Sequence, residues 1–453
     1  MTRIKFPLGL QGTEDLPRTF RSLKNCFNNG AGKVLGFPGI TELKTTSRTA
    51  RGSFEWNGSL YQVVSNDLIK ITNKTTGDFS VIGTILGSAD IRTAVGFNDA
   101  VIVVKGGALY TLDKSDVLTD ISNEDNIVSS VDVTHINGRF VYIPADGDPA
   151  FFSDIGAADT VNVLSFFDAE ELPDKNNAVF NFGNTLYIMG TDSIELFRDS
   201  GATPNPFARV PGARLFNGFI GGLLEYNQTY LFIGREKGQD FGIYRIGSGQ
   251  APKISNEKID LILSTYSQTE LEQAVSGRIK WRGYDLATFS LQRDSFGYYG
   301  DQWFLLDTVA DGVSRPWSGG FITQFEGEYF SAFRDKIGKF SNINTAYGER
   351  ITRTIDLGFE SEDGGNFACQ SIELGISQGF NTEDGSVALM MSRDNVQYGP
   401  PVYRNLGALG KYQDKLKWNP PGGLGTYNGF MGVRLYTTED IVFNNDYLIA
   451  NFR

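Results

Sequence analysis

A short pattern returns along this chain at a nearly constant interval, and it constrains the fold more than any single motif does. The pattern is a large residue, Asn or Gly, a small residue, and then an apolar run that often contains Tyr. The clearest copies are Trp56-Asn57-Gly58-Ser59-Leu60-Tyr61, Phe97-Asn98-Asp99-Ala100-Val101 and Ile136-Asn137-Gly138-Arg139-Phe140. Phe182-Gly183-Asn184-Thr185-Leu186-Tyr187 and Tyr226-Asn227-Gln228-Thr229-Tyr230 follow. Arg282-Gly283-Tyr284 and Phe325-Glu326-Gly327 are weaker copies. The second positions stand at 57, 98, 137, 183, 227, 283 and 326, in steps of 41, 39, 46, 44, 56 and 43 residues. Asn-Gly between apolar runs marks a tight hairpin, because both central residues of a type I′ turn need positive φ. A repeat of about 40–45 residues matches one four-stranded propeller blade. Asn57, Gly58, Asn98, Asn137, Gly138, Gly183, Asn184, Asn227, Gly283 and Gly327 are therefore expected at blade turns. The expected fold is all-β, a six- or seven-bladed β-propeller, since one degenerate copy could belong to an adjoining element. The rival is a chain of β-sandwich domains, whose turns need not share one motif at a long period.

Composition agrees with many short strands. Phe (34), Tyr (19) and Gly (53) are frequent, which suits half-buried strands joined by tight turns. The ends differ from the middle. Residues 1–45 show little alternation and are rich in turn residues, as in Asn28-Asn29-Gly30-Ala31-Gly32, and they predict an extended N-terminal arm used for assembly contacts. The propeller is expected over 46–345. Residues 346–453 keep alternating runs such as Ser371-Ile372-Glu373-Leu374 but lose the repeat, and they predict a separate C-terminal β domain, an assembly platform. A helical insert is expected near 257–276, where Ser267-Gln268-Thr269-Glu270 has the form of a capping box.

The residues that catalysis would need are sparse. The chain has one histidine, His135, on an expected strand, where packing is the simpler role. No P-loop occurs. Cys26 and Cys369 are far apart and are expected to be reduced thiols. Asp146-Gly147-Asp148 and Asp168-Ala169-Glu170-Glu171, with Asp174, form the densest acidic stretch. Paired acids could hydrolyse sugars or hold Ca²⁺, but a solvated loop is the plainer reading. No catalytic, metal-binding or cofactor-binding residue is expected. The net charge of −12 lacks the footprint of a protein that grips nucleic acid or anionic lipid. Arg18, Arg21, Lys24, Lys33, Arg48 and Arg51 make the N-terminal stretch locally basic, which suits either an acidic partner or a solvated arm. No signal peptide and no membrane span are expected, and synthesis in a cytoplasm follows.

Several ordered blocks resemble one family. They are Gly36-Phe37-Pro38-Gly39-Ile40; Asn137-Gly138-Arg139-Phe140 with Phe152-Ser153-Asp154 and Ala169-Glu170-Glu171-Leu172-Pro173-Asp174; Leu186-Tyr187-Ile188-Met189-Gly190 with Ser193-Ile194-Glu195-Leu196-Phe197; and Asn205-Pro206-Phe207-Ala208-Arg209-Val210-Pro211-Gly212-Ala213. Ser392-Arg393-Asp394-Asn395, Asn405-Leu406-Gly407, Gly410-Lys411-Tyr412 and Lys417-Trp418 close the series. In this order they resemble the tail nozzle, or packaged-DNA stabilisation, proteins of short-tailed phages. Asp394-Asn395-Val396-Gln397 and Ile254-Ser255-Asn256 depart from that family's usual turns and point to a distant member. The resemblance implies a structural virion protein, not an enzyme, assembled in the host cytoplasm. It implies a homohexameric ring below the portal and its adaptor ring that extends the DNA channel and retains the packaged genome until ejection. It further implies a distal plug or needle, neighbouring tail fibres or spikes, and dsDNA that passes without sequence recognition. Six copies at −12 would carry roughly −72, enough for an acidic lumen to repel sliding DNA. The alternatives are a propeller of a fibre or spike that binds or processes glycans, and a cellular interaction propeller.

Overall fold

The computed structural model describes the chain except for residue 1 and residues 13–17, 19, 169–173, 248, 311–312, 362, 378–384, 407–414 and 440–441. Among the described residues, seven small antiparallel sheets follow one another in sequence. Sheet 1 contains Ala50–Trp56, Ser59–Val64, Asp67–Asn73 and Asp78–Thr84. Sheet 2 contains Ile91–Val95, Asp99–Val104, Leu109–Asp113 and Leu118–Asp120. Sheet 3 contains Ser130–Ile136, Arg139–Pro144, Ala150–Phe152 and Phe166–Phe167, and sheet 4 contains Asn176–Phe182, Thr185–Gly190, Ile194–Asp199 and Phe207–Arg209. Sheet 5 is three-stranded, with Asn217–Tyr226, Thr229–Glu236 and Gly242–Ile246. Sheet 6 contains Val275–Trp281, Tyr284–Ser290, Ser295–Tyr299 and Gln302–Ala310. Sheet 7 contains Phe321–Phe325, Glu328–Phe333 and Lys336–Ser341, and its outer strand is Gly39–Thr45 from the far N-terminal side.

The first strand of each sheet packs beside the first strand of the next, and that of sheet 7 packs beside that of sheet 1. Each gap between neighbours holds its own apolar core. Val63 and Ile102 fill the gap between sheets 1 and 2, and Val103 and Phe151 the gap between sheets 2 and 3. Val141 and Ile188 lie between sheets 3 and 4, Met189 and Phe232 between 4 and 5, and Ile233 and Phe289 between 5 and 6. Ile279 and Tyr329 join sheets 6 and 7, and Leu60 and Phe330 join sheets 7 and 1. The second strands explain this packing. Both faces of Val101-Ile102-Val103-Val104 meet a neighbouring sheet, so the run is apolar throughout and buried. The fourth strand of sheet 1, at the rim, is exposed and mixed. Aromatic pairs recur across the first two strands: Phe54 stacks on Tyr61 at 5.4 Å and Phe180 on Tyr187 at 4.7 Å, each pair in register. Such a pair contributes about 1 kcal/mol beyond its buried area. The architecture is an all-β propeller.

The extended N-terminal segment is threaded through the rest. Thr2–Lys5 pairs with Val442–Phe452. Ser22–Lys24 pairs with Arg353–Glu360 on one side and, in parallel, with the last strand of sheet 6 on the other. The C-terminal residues form two facing sheets. One is built on Asn366–Ser377 and Val442–Phe452, the other on Arg353–Glu360, Phe430–Thr437 and Ser386–Ser392. Ile355, Ile372, Leu374, Trp418, Val433 and Leu448 are buried in one cluster that also includes Leu286 and Phe304 of sheet 6. Sheet 6 thus runs on by hydrogen bonds through Ser22–Lys24 into the sheet built on Arg353–Glu360. The Arg353 guanidinium is buried there and donates to the carbonyl oxygens of Phe37 (3.0 Å) and Glu439 (2.9 Å) and to Asn344 Oδ1 (3.1 Å). Both thiols are buried, which pushes Cys26 up to about 12 and Cys369 up to about 11.

The expected helical insert is present as α1 (Glu257–Ser264) and α2 (Gln268–Leu271). Asn256 caps α1 by accepting from Ile259 N at 3.0 Å. Ser267 and Glu270 form a reciprocal capping box on α2. No helix is long and apolar enough to cross a membrane among the described residues.

Candidate functional site

The repeat copies occupy one structural position: each lies at the turn between the first and second strands of its sheet. Asn57 and Gly58 have φ of 49° and 66°, and Asn137 and Gly138 have 49° and 81°. Glu326 and Gly327 (49° and 78°) and Arg282 and Gly283 (50° and 85°) repeat the geometry without Asn. Asn227 (47°) and Gln228 (58°) repeat it without Gly. These are pairs of positive φ, as a type I′ turn requires. Gly183 alone is positive (60°) in its turn with Asn184, which fits a type II′ turn with Gly first. Asn98 sits in a wider turn, where its amide donates to Gly156 O on sheet 3 at 3.0 Å. Phe97 beside it is 82% exposed.

The other singled-out residues are mostly tied into the fold. His135 lies on the first strand of sheet 3, packed on Phe140 at 5.0 Å, and burial lowers its pKa. Asp174 accepts from the backbone N–H groups of Asp192 and Ser193, both at 2.8 Å. Glu195, buried against Arg209 at 2.8 Å, is lifted to about 6, chiefly by burial, with Asp174, Asp168 and Asp148 adding to the effect. Asp146 is exposed. Ala169, Glu170 and Glu171 of the acidic stretch, and Gly407, Gly410, Lys411 and Tyr412 of the last sequence blocks, lie outside the described residues. Of the basic N-terminal residues, Arg51 is buried and donates to the carbonyl oxygens of Ala89, Ser65 and Ile85. Lys24 pairs with Asp307 at 3.2 Å, and Arg48 with Asp67. Arg21 donates to Phe20 O, while Arg18 and Lys33 are exposed.

Sequence reasoning missed a group of charges near the start of the first strands. Asp132 is buried and accepts from Val133 N at 3.0 Å and Val179 N at 2.9 Å. Burial pushes it up to about 6, with Arg92 holding it back. Burial likewise raises Asp90 and lowers Lys105, whose ammonium reaches Glu272 O at 3.4 Å, on the segment after α2. Asp132 is separated from these residues in sequence, so no local pattern marks the group. Its partners are backbone groups and opposite charges, which is the pattern of a polar core that orders strands.

Comparison with known proteins completes the picture. Residues 13–342 match the family described as Bacteriophage P22 Gp10, beta-propeller. The tail hub protein gp10 of Salmonella phage P22 is 24% identical over 446 residues, covering 92% of this chain and 91% of that protein. Among solved structures, virginiamycin B lyase from Staphylococcus aureus aligns with a TM-score of 0.42 at 12% identity, over 67% of this chain and 99% of that one. The WD40 β-propeller domain of Doa1 aligns with a TM-score of 0.42 at 10% identity, over 67% and 98%. The family match takes in the threaded N-terminal segment and the sheets of the ring, and the chain belongs to the Bacteriophage P22 Gp10 β-propeller family.

Proposed function

We propose that this chain is a structural protein of a phage tail, one subunit of a homohexameric nozzle ring below the portal and its adaptor ring. The ring extends the DNA channel and helps hold the packaged genome until ejection. Family membership carries this reading, supported by a tail hub relative that aligns over nearly the full length of both chains. In this reading residues 46–345 form a seven-bladed propeller closed by the strand Gly39–Thr45. Residues 1–45 tie that ring to a C-terminal platform over 346–453. Adaptor ring, distal plug or needle, and fibres or spikes are its partners, and dsDNA passes without sequence recognition.

The physical support is stiffness and charge. Hydrogen bonds run from sheet 6 into the C-terminal β domain, and one apolar cluster spans both, so load passes through the subunit without a flexible linker. A net charge of −12 per copy disfavours adhesion of DNA to the wall. The test uses phage particles assembled with and without the chain. Particles lacking it are expected to package DNA and then leak it, with retention restored by supplying the chain. Retention that is equal in both would overturn the role.

A further inference from the structure

Two exposed surfaces of the molecule are complementary in charge. The first is on the turn face of sheets 2 and 3. Phe97 is 82% exposed and Ile155 69% exposed. The two turns are fastened together by the hydrogen bond from Asn98 to Gly156 O, so the apolar pair projects from a braced support. Asp99 lies two residues after Phe97, and Asp159 and Asp113 are near enough to raise its pKa, after burial, the larger cause. Lys114 stacks on one face of Phe97 at 4.1 Å. The feature is an apolar prong with a mainly acidic rim.

The second surface is an open groove of about 680 Å³ on the C-terminal β domain. Arg18, Arg393 and Arg453 line it, and Phe367 and Tyr427 give it aromatic walls. All three arginines are exposed, and among the described residues none forms an ion pair. Three guanidinium groups with no ion pair among the described residues stand beside aromatic rings on a chain of net charge −12. They favour an anionic surface that also brings an apolar side chain, since Arg stacks on aromatic rings and forks onto carboxylates.

We propose that the arginine groove of one copy receives the acid-rimmed Phe97 prong of the next copy. The positions of the two surfaces fit this occupant. In the cyclic order of sheets, the gap between sheets 2 and 3 lies opposite sheet 6, and the C-terminal β domain extends outward from sheet 6. Prong and groove therefore belong to different parts of the subunit. Such a contact is head-to-tail: each copy offers one of each surface, and repetition gives a ring where the rotation closes, instead of a two-fold dimer. The inference rests on the homo-oligomeric reading above and assigns its contact surfaces.

Two variants test it. The prong variant is Phe97→Glu, and the groove variant combines Arg393→Glu with Arg453→Glu. All three positions are exposed, so the melting transitions should match wild type. Sedimentation is expected to show wild type forming species larger than a dimer, with each variant alone monomeric after at least about a tenfold loss of self-association. An equimolar mixture should stop at a dimer, because one intact prong and one intact groove remain to meet. Adding Asp159→Lys to the intact prong should strengthen its binding to the groove variant. If both variants assemble as wild type does, the assigned surfaces are wrong and self-assembly stands. Wild type that stays monomeric, free and on a portal–adaptor complex, overturns both readings. If the groove variant instead loses binding to a fluorescein-labelled DNA duplex with self-association unchanged, the groove serves nucleic acid and the proposal fails.

Discussion

Gln228 occupies, at a φ of 58°, a position where Gly58, Gly138, Asn184, Gly283 and Gly327 stand in other copies of the repeat turn. A side chain in the left-handed region costs about 1–2 kcal/mol. Gln228→Gly is expected to stabilise the protein by about 0.5 kcal/mol, the strain relieved being partly offset by a freer unfolded chain. Gly58→Ala should lower the stability measured by urea denaturation by about 1 kcal/mol, because the space around Gly58 is open and only its φ of 66° resists a methyl group. A larger loss at Gly58 would mean that the turn is packed against something else. Asp132 supplies a pH test. Its folded pKa of about 6 lies above the ordinary carboxylate value, so the folded state binds the proton more tightly than the unfolded chain. Stability from this site is then present below the ordinary value and is lost as pH rises towards 6, with the penalty complete above that. Asp132→Asn removes the charge at the expense of one acceptor. Its stability relative to wild type should improve between pH 4 and 7 by on the order of 2 kcal/mol; a difference that does not vary with pH would contradict the buried-carboxylate account. The turns were legible because Asn and Gly at positive φ leave a local mark. Asp132 was not, because the groups that act on it, Arg92, Lys105 and Val179, are distant from it in sequence.

The N-terminal segment shows where reading by element runs out. Its extended character was visible in the turn-rich sequence, but its pairing was not. Gly39–Thr45 becomes a strand against Lys336–Ser341 and, in parallel, Thr345–Ala346, about three hundred residues away, and a strand's partner leaves no trace in its own composition. Phe37 anchors the entry to this strand. It is buried between Trp317 at 5.2 Å and Phe304 at 5.9 Å, and its carbonyl accepts from Arg353. Phe37→Ala is expected to cost about 3–5 kcal/mol, measured by chemical denaturation. If the segment closes the ring, amide protons of Gly39–Thr45 should exchange as slowly as those of Lys336–Ser341, and Phe37→Ala should speed both together. Fast exchange confined to Gly39–Thr45 would mark a strand that adds to sheet 7 without closing it. The helical insert, by contrast, was fully visible, since the capping box lies within four consecutive residues.

For the whole molecule, the repeat interval carried most of what could be read about the ring, and all seven copies fall at equivalent turns. The continuity of sheet 6 with the C-terminal β domain was invisible, because it depends on Ser22–Lys24 filling the seam between two distant strands. That continuity joins the propeller and the C-terminal sheets through hydrogen bonds and a shared apolar cluster. The acidic stretch near Asp174 looked like the densest chemistry in the sequence, yet in the fold Asp174 serves backbone N–H groups and Glu195 serves Arg209. The most direct test of the nozzle reading is the mass of the full-length chain bound to a purified portal–adaptor complex, with the free chain measured alongside. A homohexameric nozzle predicts a discrete complex carrying six copies of the chain per adaptor ring. A chain that remains monomeric and unbound in both settings would contradict it.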